Sequence, residues 1–463
     1  MIDKYRESLQ KNIDVIGESF FIDPETKRIG GDVEVPHWNT TLLALSYVMD
    51  QNPLLVGGPG FAKTTAAKVI STVMSGFPFD LYEAAQIQGH PDQTYETMIA
   101  RLDFSKLRKE ESVIWLLSAY LPVRIIDEVN RLPEGKQDEL LNALETGRFN
   151  YLNSTFFSGK TPFISTANHP DDGNHIMIPP LRDRFGTHME IGYIGALYDD
   201  DIENAQDNIR DELWDTSLTE RIMGIVNDQS IDIKDKFGKI ENARLSYAQK
   251  LETGEVGATV FGNDLKREVM ARIRDIPLST EAKVLTQMIN SELNNTHLFG
   301  RKRSNDKTDT SNHAQALAST FVENGCSPRA IRAMKDYSKA LAYLTGASEV
   351  GKEFIEAMAP HVLGHRVEFT TDFKGDWEDK NRAGLFGEPK EMHFSRKLVE
   401  KIESNYARVK QDVDLLVVAL KNDGSLTEDQ KARANDLLKT DTIDHPLVRE
   451  YVHRMREIRP QGF

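Results

Sequence analysis

The chain has 463 residues, of which 39% are hydrophobic, so the sequence predicts two or three domains with sizeable cores rather than a disordered protein. Its net charge of −15 argues against a sequence-independent nucleic-acid binder, although a local basic loop stays compatible with this charge. The single cysteine, Cys326, excludes an internal disulfide framework, suits a small buried position and is typical of a cytoplasmic protein. No apolar run approaches the ~20 residues of a membrane span, and the N-terminal sequence MIDKYRESLQKN lacks the apolar core of a signal peptide.

Two elements are predicted before the first motif. Residues 1–30 are polar and mixed, and they predict a short helix followed by a weak strand at residues 19–22. Residues 40–50 have the apolar spacing of a helix and lead into the next apolar run. Trp38, which precedes this helix, is assigned to the core.

Residues 54–65, with the sequence LLVGGPGFAKTT, are the segment around which the chain is organised. The apolar residues predict a buried parallel strand, and the following residues match the phosphate-binding pattern G-x-x-x-x-G-K-[ST] except at Ala62, where the second glycine is expected. A glycine-rich backbone can surround an anion with its N–H groups, and a helix starting at Lys63 directs its positive end to the same place. The alternative is an ordinary strand–turn–helix.

This segment predicts a nucleotide site with assigned roles. Lys63 is expected to reach the β- and γ-phosphates, and the Thr64 hydroxyl is expected to bind magnesium. Residues 33–38 are expected to pass near the adenine. The predicted ATP-binding residues are Gly57, Gly58, Pro59, Gly60, Phe61, Ala62, Lys63, Thr64, Thr65 and, further along the chain, Asp127.

The next stretch combines a predicted strand with a polar insertion. Residues 81–87, LYEAAQI, predict a strand, and residues 89–111 are polar and interrupted by Gly89 and Pro91. The favoured interpretation of this segment is a solvated loop, and the alternative is a pore-facing loop that contacts a substrate. The basic residues of the insertion are Arg101, Lys106, Arg108 and Lys109.

A second motif, VRIIDEVNR, occupies residues 123–131. An apolar strand that ends in two acidic residues is what a P-loop enzyme needs on a neighbouring strand. Asp127 would hold magnesium through water, and Glu128 would orient and polarise the attacking water. Arg124 interrupts the apolar run and is expected at the start of the strand, where its side chain can reach solvent.

Further elements follow in order. Residues 133–144 predict an amphipathic helix, residues 148–157 a hairpin, and residues 163–168 a strand. Asn168 at the end of this strand could hold the attacking water or the γ-phosphate, although a loop asparagine is more often a turn former. The sequence PPLRDRF at residues 179–185 supplies Arg182 and Arg184, which are either surface ion-pair residues or groups that enter a neighbouring subunit's site.

In this order and spacing, the motifs resemble those of the AAA+ ATPases, and among them the MoxR type of the helix-two-insert clade. The resemblance rests on GGPGFAKT, IIDEVNRLPEGKQDELLNALETG, STANHP, PPLRDRF, GCSPRAIRAMKDYSKALAYL and APHVLGHRV. It covers most of residues 33–195 and 276–367, and alanine before the lysine is a habit of this subgroup. The resemblance implies an α/β fold, namely a P-loop αβα sandwich with a parallel central sheet, followed by an α-helical lid and a helical C-terminal extension.

The resemblance also implies domains and residue roles. The implied domains are a core ATPase domain at 1–195, a lid at 196–368 and an extension at 369–463, with ATP and Mg²⁺ bound at Walker A (Lys63, Thr64) and Walker B (Asp127, Glu128). Thr64 and Asp127 are the implied metal-binding residues. Asn168 matches sensor one, Arg329 matches sensor two, and Arg184 matches the arginine finger, with Arg182 as second choice. The insert at about 89–111 and the hairpin at about 148–157 match elements that usually face the pore of a ring.

Some segments depart from the family pattern. Residues 193–263 are longer than the expected join and predict several helices, and residues 300–313 predict a polar loop. Residues 369–389 predict irregular structure. Three helices are predicted after it, beginning near residues 398, 426 and 445, and the spacing favours a helical hairpin packed on itself or on the lid.

The resemblance implies a homo-oligomeric ring, with a hexamer as the expected assembly and ATP hydrolysis at subunit interfaces. The implied output is chaperone-like remodelling of a partner protein, or insertion of a metal or cofactor into it, and one candidate partner is a protein with a von Willebrand-type domain. Two alternatives stay open: a nucleic-acid motor of the same clade, and a scaffold that senses nucleotide without hydrolysing it.

Overall fold

The computed structural model describes residues 3–31, 33–92, 94–102, 113–152, 154–169, 177–296, 300–301, 317–380, 390–421, 426–440, 443, 445–460 and 462. The chain divides into two compact units, the first formed by residues 1–277 with 339–348 and the second by residues 278–338 with 349–463. The domain boundaries implied by the resemblance, at residues 195 and 368, stay predictions.

The first unit is built on a five-stranded parallel sheet. The strands Pro53–Gly57 and Phe163–Asn168 are short and mostly buried on both faces, and the first is the apolar run that is usual in a parallel sheet covered by helices. From one edge to the other, the strands are β11 (Thr187–Glu190), β3 (Pro53–Gly57), β10 (Phe163–Asn168), β7 (Arg124–Asp127) and β4 (Ile87–Gln88). All five carboxyl ends therefore meet at one edge of the sheet, and the predicted α/β class with a parallel central sheet is confirmed.

Helices and three small antiparallel ribbons surround this sheet. Its helices are α1 (Lys4–Ser19), α2 (Trp38–Val48), α3 (Lys63–Ser75), α4 (Phe79–Ala85), α5 (Tyr95–Met98), α6 (Leu117–Tyr120), α7 (Glu134–Thr146), α8 (Pro179–Arg182), α9 (Asp199–Asn208), α10 (Thr216–Asn227), α11 (Ile233–Thr253) and α12 (Asn263–Asp275). The ribbons pair β1 (Lys27–Arg28) with β2 (Glu34–Val35), β5 (Ala100–Leu102) with β6 (Val113–Trp115), and β8 (Arg148–Tyr151) with β9 (Ser154–Phe157). The predicted hairpin at 148–157 is thus confirmed, as are the helices predicted within residues 193–263.

Two local predictions are wrong. Residues 81–87 were expected to form a strand, but residues 79–85 form α4, and only Ile87 and Gln88 are extended. Leu81, Tyr82 and Ala85 share one helical face, which is buried, and this tertiary contact outweighs the strand-like composition. The strand expected at residues 19–22 is also absent, because α1 continues through Ser19 and the chain then turns.

Arg124 does not reach solvent, so the prediction for its side chain is also wrong. The residue is 1% exposed, its Nη2 donates to the carbonyl oxygen of Ala119 at 2.8 Å, and its Nη1 contacts the Thr161 hydroxyl. The guanidinium lies 4.8 Å from the centroid of the Phe149 ring and 5.3 Å from that of Phe163. Burial lowers the pKa of Arg124 to about 9. The two rings come from β8 and β10, so the site for a buried cation exists only after the hairpin has packed on the sheet.

The second unit is helical. It contains α13 (Thr280–Asn294), the first part of α14 (Pro328–Thr345), α15 (Lys352–Leu363), α16 (Thr371–Lys380), α17 (Lys390–Leu420), α18 (Glu428–Lys439) and α19 (Pro446–Ile458), together with the short ribbon β12 (Asn295–Thr296) and β13 (Gly300–Arg301). Residues 369–389 were predicted to be irregular, but residues 371–380 form α16. Residues 381–389 and most of the predicted loop at 300–313 lie outside the described residues.

The C-terminal helices pack on one another and on α13 and α15, as expected. A fully buried carboxylate, Glu292 of α13, anchors them. It accepts hydrogen bonds from Asn405 of α17 at 2.8 Å and from the backbone N–H of Ala318 at 3.0 Å, and His445 Nε2 lies 3.2 Å away. A buried carboxyl group is stable only with several hydrogen-bond partners, and these contacts connect the end of α13 to the middle of α17 and the start of α19. No helix in the described part of the chain is long and apolar enough to cross a membrane.

Candidate active site

The phosphate-binding loop connects β3 to α3, as predicted. Ala62 has φ 56° and ψ 20°, the left-handed region that glycine adopts at lower cost than other residues. The glycine of the pattern is therefore explained by the left-handed conformation at this position, which Ala62 adopts in this protein. At the other end of the loop, a Cβ on Gly57 would overlap the carbonyl oxygen of Ile191, so the neighbouring chain leaves room only for glycine.

Lys63, the first residue of α3, is 6% exposed and has three acceptors. Its Nζ donates to the carbonyl oxygens of Gly57 at 3.0 Å and Gly58 at 2.6 Å, and to Asn168 Oδ1 at 3.0 Å. Burial lowers the pKa of Lys63, whereas the carboxylates of Asp127, Glu128 and Glu190 act in the opposite direction. The ammonium thus lies between the loop and the ends of two strands, where it can donate to an anion held by the loop.

Asp127 ends β7 and accepts hydrogen bonds from two hydroxyls. Thr64 Oγ1 and Thr166 Oγ1 each lie 2.6 Å from Asp127 Oδ1, and Gln86 Nε2 donates to Oδ2 at 3.1 Å. Hydroxyl and carboxylate oxygens are hard ligands of the kind that Mg²⁺ prefers in proteins, and these two lie side by side. The two residues predicted to bind the metal, Thr64 and Asp127, are therefore adjacent and chemically suited to it.

Glu128 has an unusual backbone conformation, with φ 52° and ψ 50°. Its N–H donates to Thr166 Oγ1 at 2.9 Å, and its Oε1 accepts from Asn168 Nδ2 at 2.6 Å. Its Oε2 lies 2.9 Å from Arg131 Nε in an ion pair. Left-handed backbone at a non-glycine residue costs about 1–3 kcal/mol and is concentrated at functional sites. The strain and the three contacts together fix where the Glu128 carboxylate lies.

Asn168 connects the predicted groups. Its side chain accepts from Lys63 through Oδ1 and donates to Glu128 through Nδ2, while its carbonyl oxygen accepts from Asn130 Nδ2 at 3.0 Å. A single amide therefore contacts both the ammonium and the acidic group. The structure thus brings Lys63, Thr64, Asp127, Glu128 and Asn168 together at the carboxyl edge of the sheet.

The sequence motifs do not identify two residues of this site, and they mark Gly89 only as a break in the chain. The Gly89 N–H donates to the carbonyl oxygen of Asp127 at 2.7 Å. A Cβ on Gly89 would overlap the carbonyl oxygen of Glu128 and lie 2.8 Å from that of Asp127. Gln86 is the second such residue, because its side-chain amide donates a hydrogen bond to Asp127. Only the pairing of β4 with β7 brings them here, and a glycine directly after a strand was the one available signal.

Of the two arginines predicted for the site, Arg184 lies apart from this cluster and Arg329 belongs to the second unit. The Arg184 side chain is 15% exposed and donates to the carbonyl oxygens of Leu141 at 3.1 Å and Pro180 at 2.8 Å. Its Nη2 also forms an ion pair with Glu145 Oε2 at 3.0 Å. Arg329 is exposed on the first turn of α14, and Pro328 begins this helix as expected.

An apolar pocket of about 190 Å³ adjoins the phosphate-binding loop. Residues 60–62 and Thr65 form the side nearest the loop, and residues 20–22 and 191–194 form two further walls. Helix α9 and the turn after it close the pocket with Ile202, Ala205, Gln206 and Ile209. Residues 33–38 do not line this pocket, and their position near an adenine stays a prediction. Trp38 is buried in the core, as predicted.

Comparison with known proteins defines the class. Residues 52–185 match the family model of the AAA domain of the dynein-related subfamily, and residues 314–382 match that of the AAA lid domain. The protein therefore combines a P-loop AAA domain with an AAA lid.

A solved structure shares this fold. The chain is similar to a candidate ATPase from Cytophaga hutchinsonii ATCC 33406, with 17% sequence identity and a TM-score of 0.54, over 87% of this chain and 94% of that one. At this identity the likeness concerns the fold alone. No curated protein matches the chain in sequence at a significant level.

Proposed function

We propose that this protein is a MoxR-type AAA+ ATPase that hydrolyses ATP to ADP and phosphate and uses the energy to remodel a partner protein. The observation that carries the proposal is the convergence of Lys63, the Thr64–Asp127 pair and the Glu128–Asn168 pair at one sheet edge, within the AAA-domain match. The MoxR assignment rests on the sequence motifs, including Ala62 before the lysine.

In the proposed reaction, the loop amides at residues 57–62 and the Lys63 ammonium bind the β- and γ-phosphates, which replace the carbonyl acceptors of Lys63. Thr64 and Asp127 would hold Mg²⁺, which would supply positive charge to the phosphate oxygens. Glu128 orients and polarises the attacking water, and Asn168 holds Glu128 and Lys63 in register. Arg329 of the lid acts as sensor two.

The apolar pocket is the proposed adenine site, because it adjoins Gly60, Ala62 and Thr65 and is lined mainly by apolar side chains. Replacing Ile202 with tryptophan adds bulk to its wall from a position that is 37% exposed, which limits the cost to folding. We expect ATP affinity to fall about tenfold, or about 1.4 kcal/mol, by calorimetry. Ile233→Trp is the matched control, since Ile233 is 41% exposed and does not line the pocket. Equal affinities of the two variants would remove the pocket from the proposal.

Gly89 is proposed to keep the Asp127–Glu128 peptide in place. The Gly89→Ala change must move this peptide, and a displacement of about 1 Å at a reacting group costs about a hundredfold in rate. We expect kcat for ATP to fall by about that factor while the Kd for ATP changes little. The control is Gly135→Ala on α7, where a Cβ meets nothing within 4 Å. An unchanged kcat in Gly89→Ala would show that the peptide can shift without consequence.

The proposed assembly is a homo-oligomeric ring, with a hexamer as the family expectation and with Arg184 offered to the next subunit's γ-phosphate. For this the guanidinium has to exchange its bond with Glu145 for one with the phosphate. A cytoplasmic location belongs to the same proposal.

The proposed partner is a protein substrate, with a von Willebrand-type domain protein as a candidate. A nucleic-acid motor is the alternative; of the four basic insert residues, only the exposed Arg101 lies in the described part of the chain. A Glu128→Gln trap loaded with ATP tests for a protein substrate, with Lys63→Ala as the matched control that lacks the phosphate contact. Proteins retained only by the trap would identify the substrate. Stimulation of wild-type turnover by DNA, with a steep loss of DNA binding at raised salt, would instead support the motor.

A further inference from the structure

One contact at the sheet edge lies outside the motifs assigned so far. Strand β3 lies between β10 and β11, with Asn168 of β10 opposite Gly57 and Glu190 of β11 opposite Val56. His169 directly follows Asn168, and its Nε2 lies 2.7 Å from Glu190 Oε1. This contact therefore spans the carboxyl end of β3, where the phosphate-binding loop begins. We call the His169–Glu190 pair the β10–β11 clasp.

The Glu190 carboxylate of the clasp is largely shielded from solvent. The Glu190 side chain is 17% exposed, and its Oε2 is 3.8 Å from Nε2 of His188, which is buried. Burial lowers the pKa of His188 to about 4, so this imidazole is neutral at neutral pH. His169 then contacts the Glu190 carboxylate directly, and Lys63 is the nearby cation on which the Glu190 charge acts.

The clasp is connected to the reacting groups through one peptide bond. Asn168, the residue before His169, contacts the Lys63 ammonium at 3.0 Å and the Glu128 carboxylate at 2.6 Å. Fixing His169 to β11 restricts the backbone from which the Asn168 amide extends. Glu190 also stabilises the charged form of Lys63 through its own charge. The first effect acts on the geometry of these groups, and the second acts on the charge of Lys63.

We propose, on the basis of the proposed ATPase function, that His169 and Glu190 are positioning residues that hold Asn168 between Lys63 and Glu128. Neither residue touches the reacting atoms. The clasp fixes the end of β10 against β11, and the precision of the Asn168 contacts depends on it. Loss of the clasp therefore reduces the rate of hydrolysis more than it reduces the binding of ATP.

The test compares His169→Ala, Glu190→Ala and the double variant in the full-length protein, by steady-state ATP hydrolysis and thermal unfolding. We expect His169→Ala to lower kcat about tenfold with KM for ATP within about twofold, the size of effect given by about 1.4 kcal/mol in the barrier. His169→Gln, whose amide can still donate to Glu190, is expected to recover part of the lost kcat. The double variant is expected to be no slower than the slower single variant, because the two residues act as one unit.

The matched control is His453→Ala, which breaks an exposed His–Glu pair of 3.6 Å with Glu457 on α19 and should leave kcat unchanged. The positioning role of the clasp would be overturned by a wild-type kcat in His169→Ala. It would also be overturned if the loss of kcat accompanied a lower unfolding temperature and was not recovered in His169→Gln. These outcomes are separate from the proposed ATPase activity, which is contradicted if the wild-type protein does not hydrolyse ATP.

Discussion

The Glu128→Gln variant is expected to bind ATP with near wild-type affinity and to hydrolyse it about 10²–10⁴ times more slowly, the range by which a positioned general base accelerates a reaction. The amide keeps an oxygen that can accept from Asn168 Nδ2, so the loop and Lys63 should stay in place. It loses the negative charge that orients and polarises water. Single-turnover phosphate release and equilibrium ATP binding measure the two effects separately.

The control for this variant is Glu457→Gln, which removes the charge of an exposed glutamate paired with Arg454 on α19. It should hydrolyse ATP at the wild-type rate. Normal turnover in Glu128→Gln would contradict the role of Glu128. A loss of ATP binding in the same variant would mean that the side chain supports the loop rather than the chemistry.

The Arg184→Ala variant is expected to lower turnover about 10³–10⁵-fold, the range for an arginine that neutralises charge in a phosphoryl-transfer transition state. In a cyclic head-to-tail assembly each such arginine serves the next subunit's site. Mixing Arg184→Ala with Lys63→Ala subunits should therefore restore part of the activity, because some interfaces combine an intact Arg184 with an intact Lys63. Turnover is measured across mixing ratios.

The alternative for Arg184 is a structural role, since its side chain bonds Leu141, Pro180 and Glu145 within the subunit. A structural loss would lower the unfolding temperature of Arg184→Ala and would not be recovered by mixing. Arg182→Ala, measured beside it, decides between the two arginines of the PPLRDRF sequence. If no mixture exceeds either variant alone, the trans assignment of Arg184 is contradicted.

The sequence alone determined the class of fold and the members of the central cluster. Strands were predicted from the apolar runs that end at Gly57 and Asp127 and from residues 163–168, and parallel strands bring their carboxyl ends to one edge. The glycine-rich loop and the helix starting at Lys63 are local in sequence, so a pattern of adjacent residues was enough to find them. The catalytic roles of these residues stay predictions until the variants are measured.

Only the tertiary structure decided what surrounds this cluster. Gly89 and Gln86 reach Asp127 through the pairing of β4 with β7, and His169 reaches Glu190 across β3. Arg124, expected near solvent, is buried between rings from two other strands. Each of these contacts joins residues that are distant in the chain, and nothing in their local sequence carries the register or packing that brings them together. Composition and local spacing therefore predict strands and motifs, whereas the partners of a charged or strained group are decided when the elements pack.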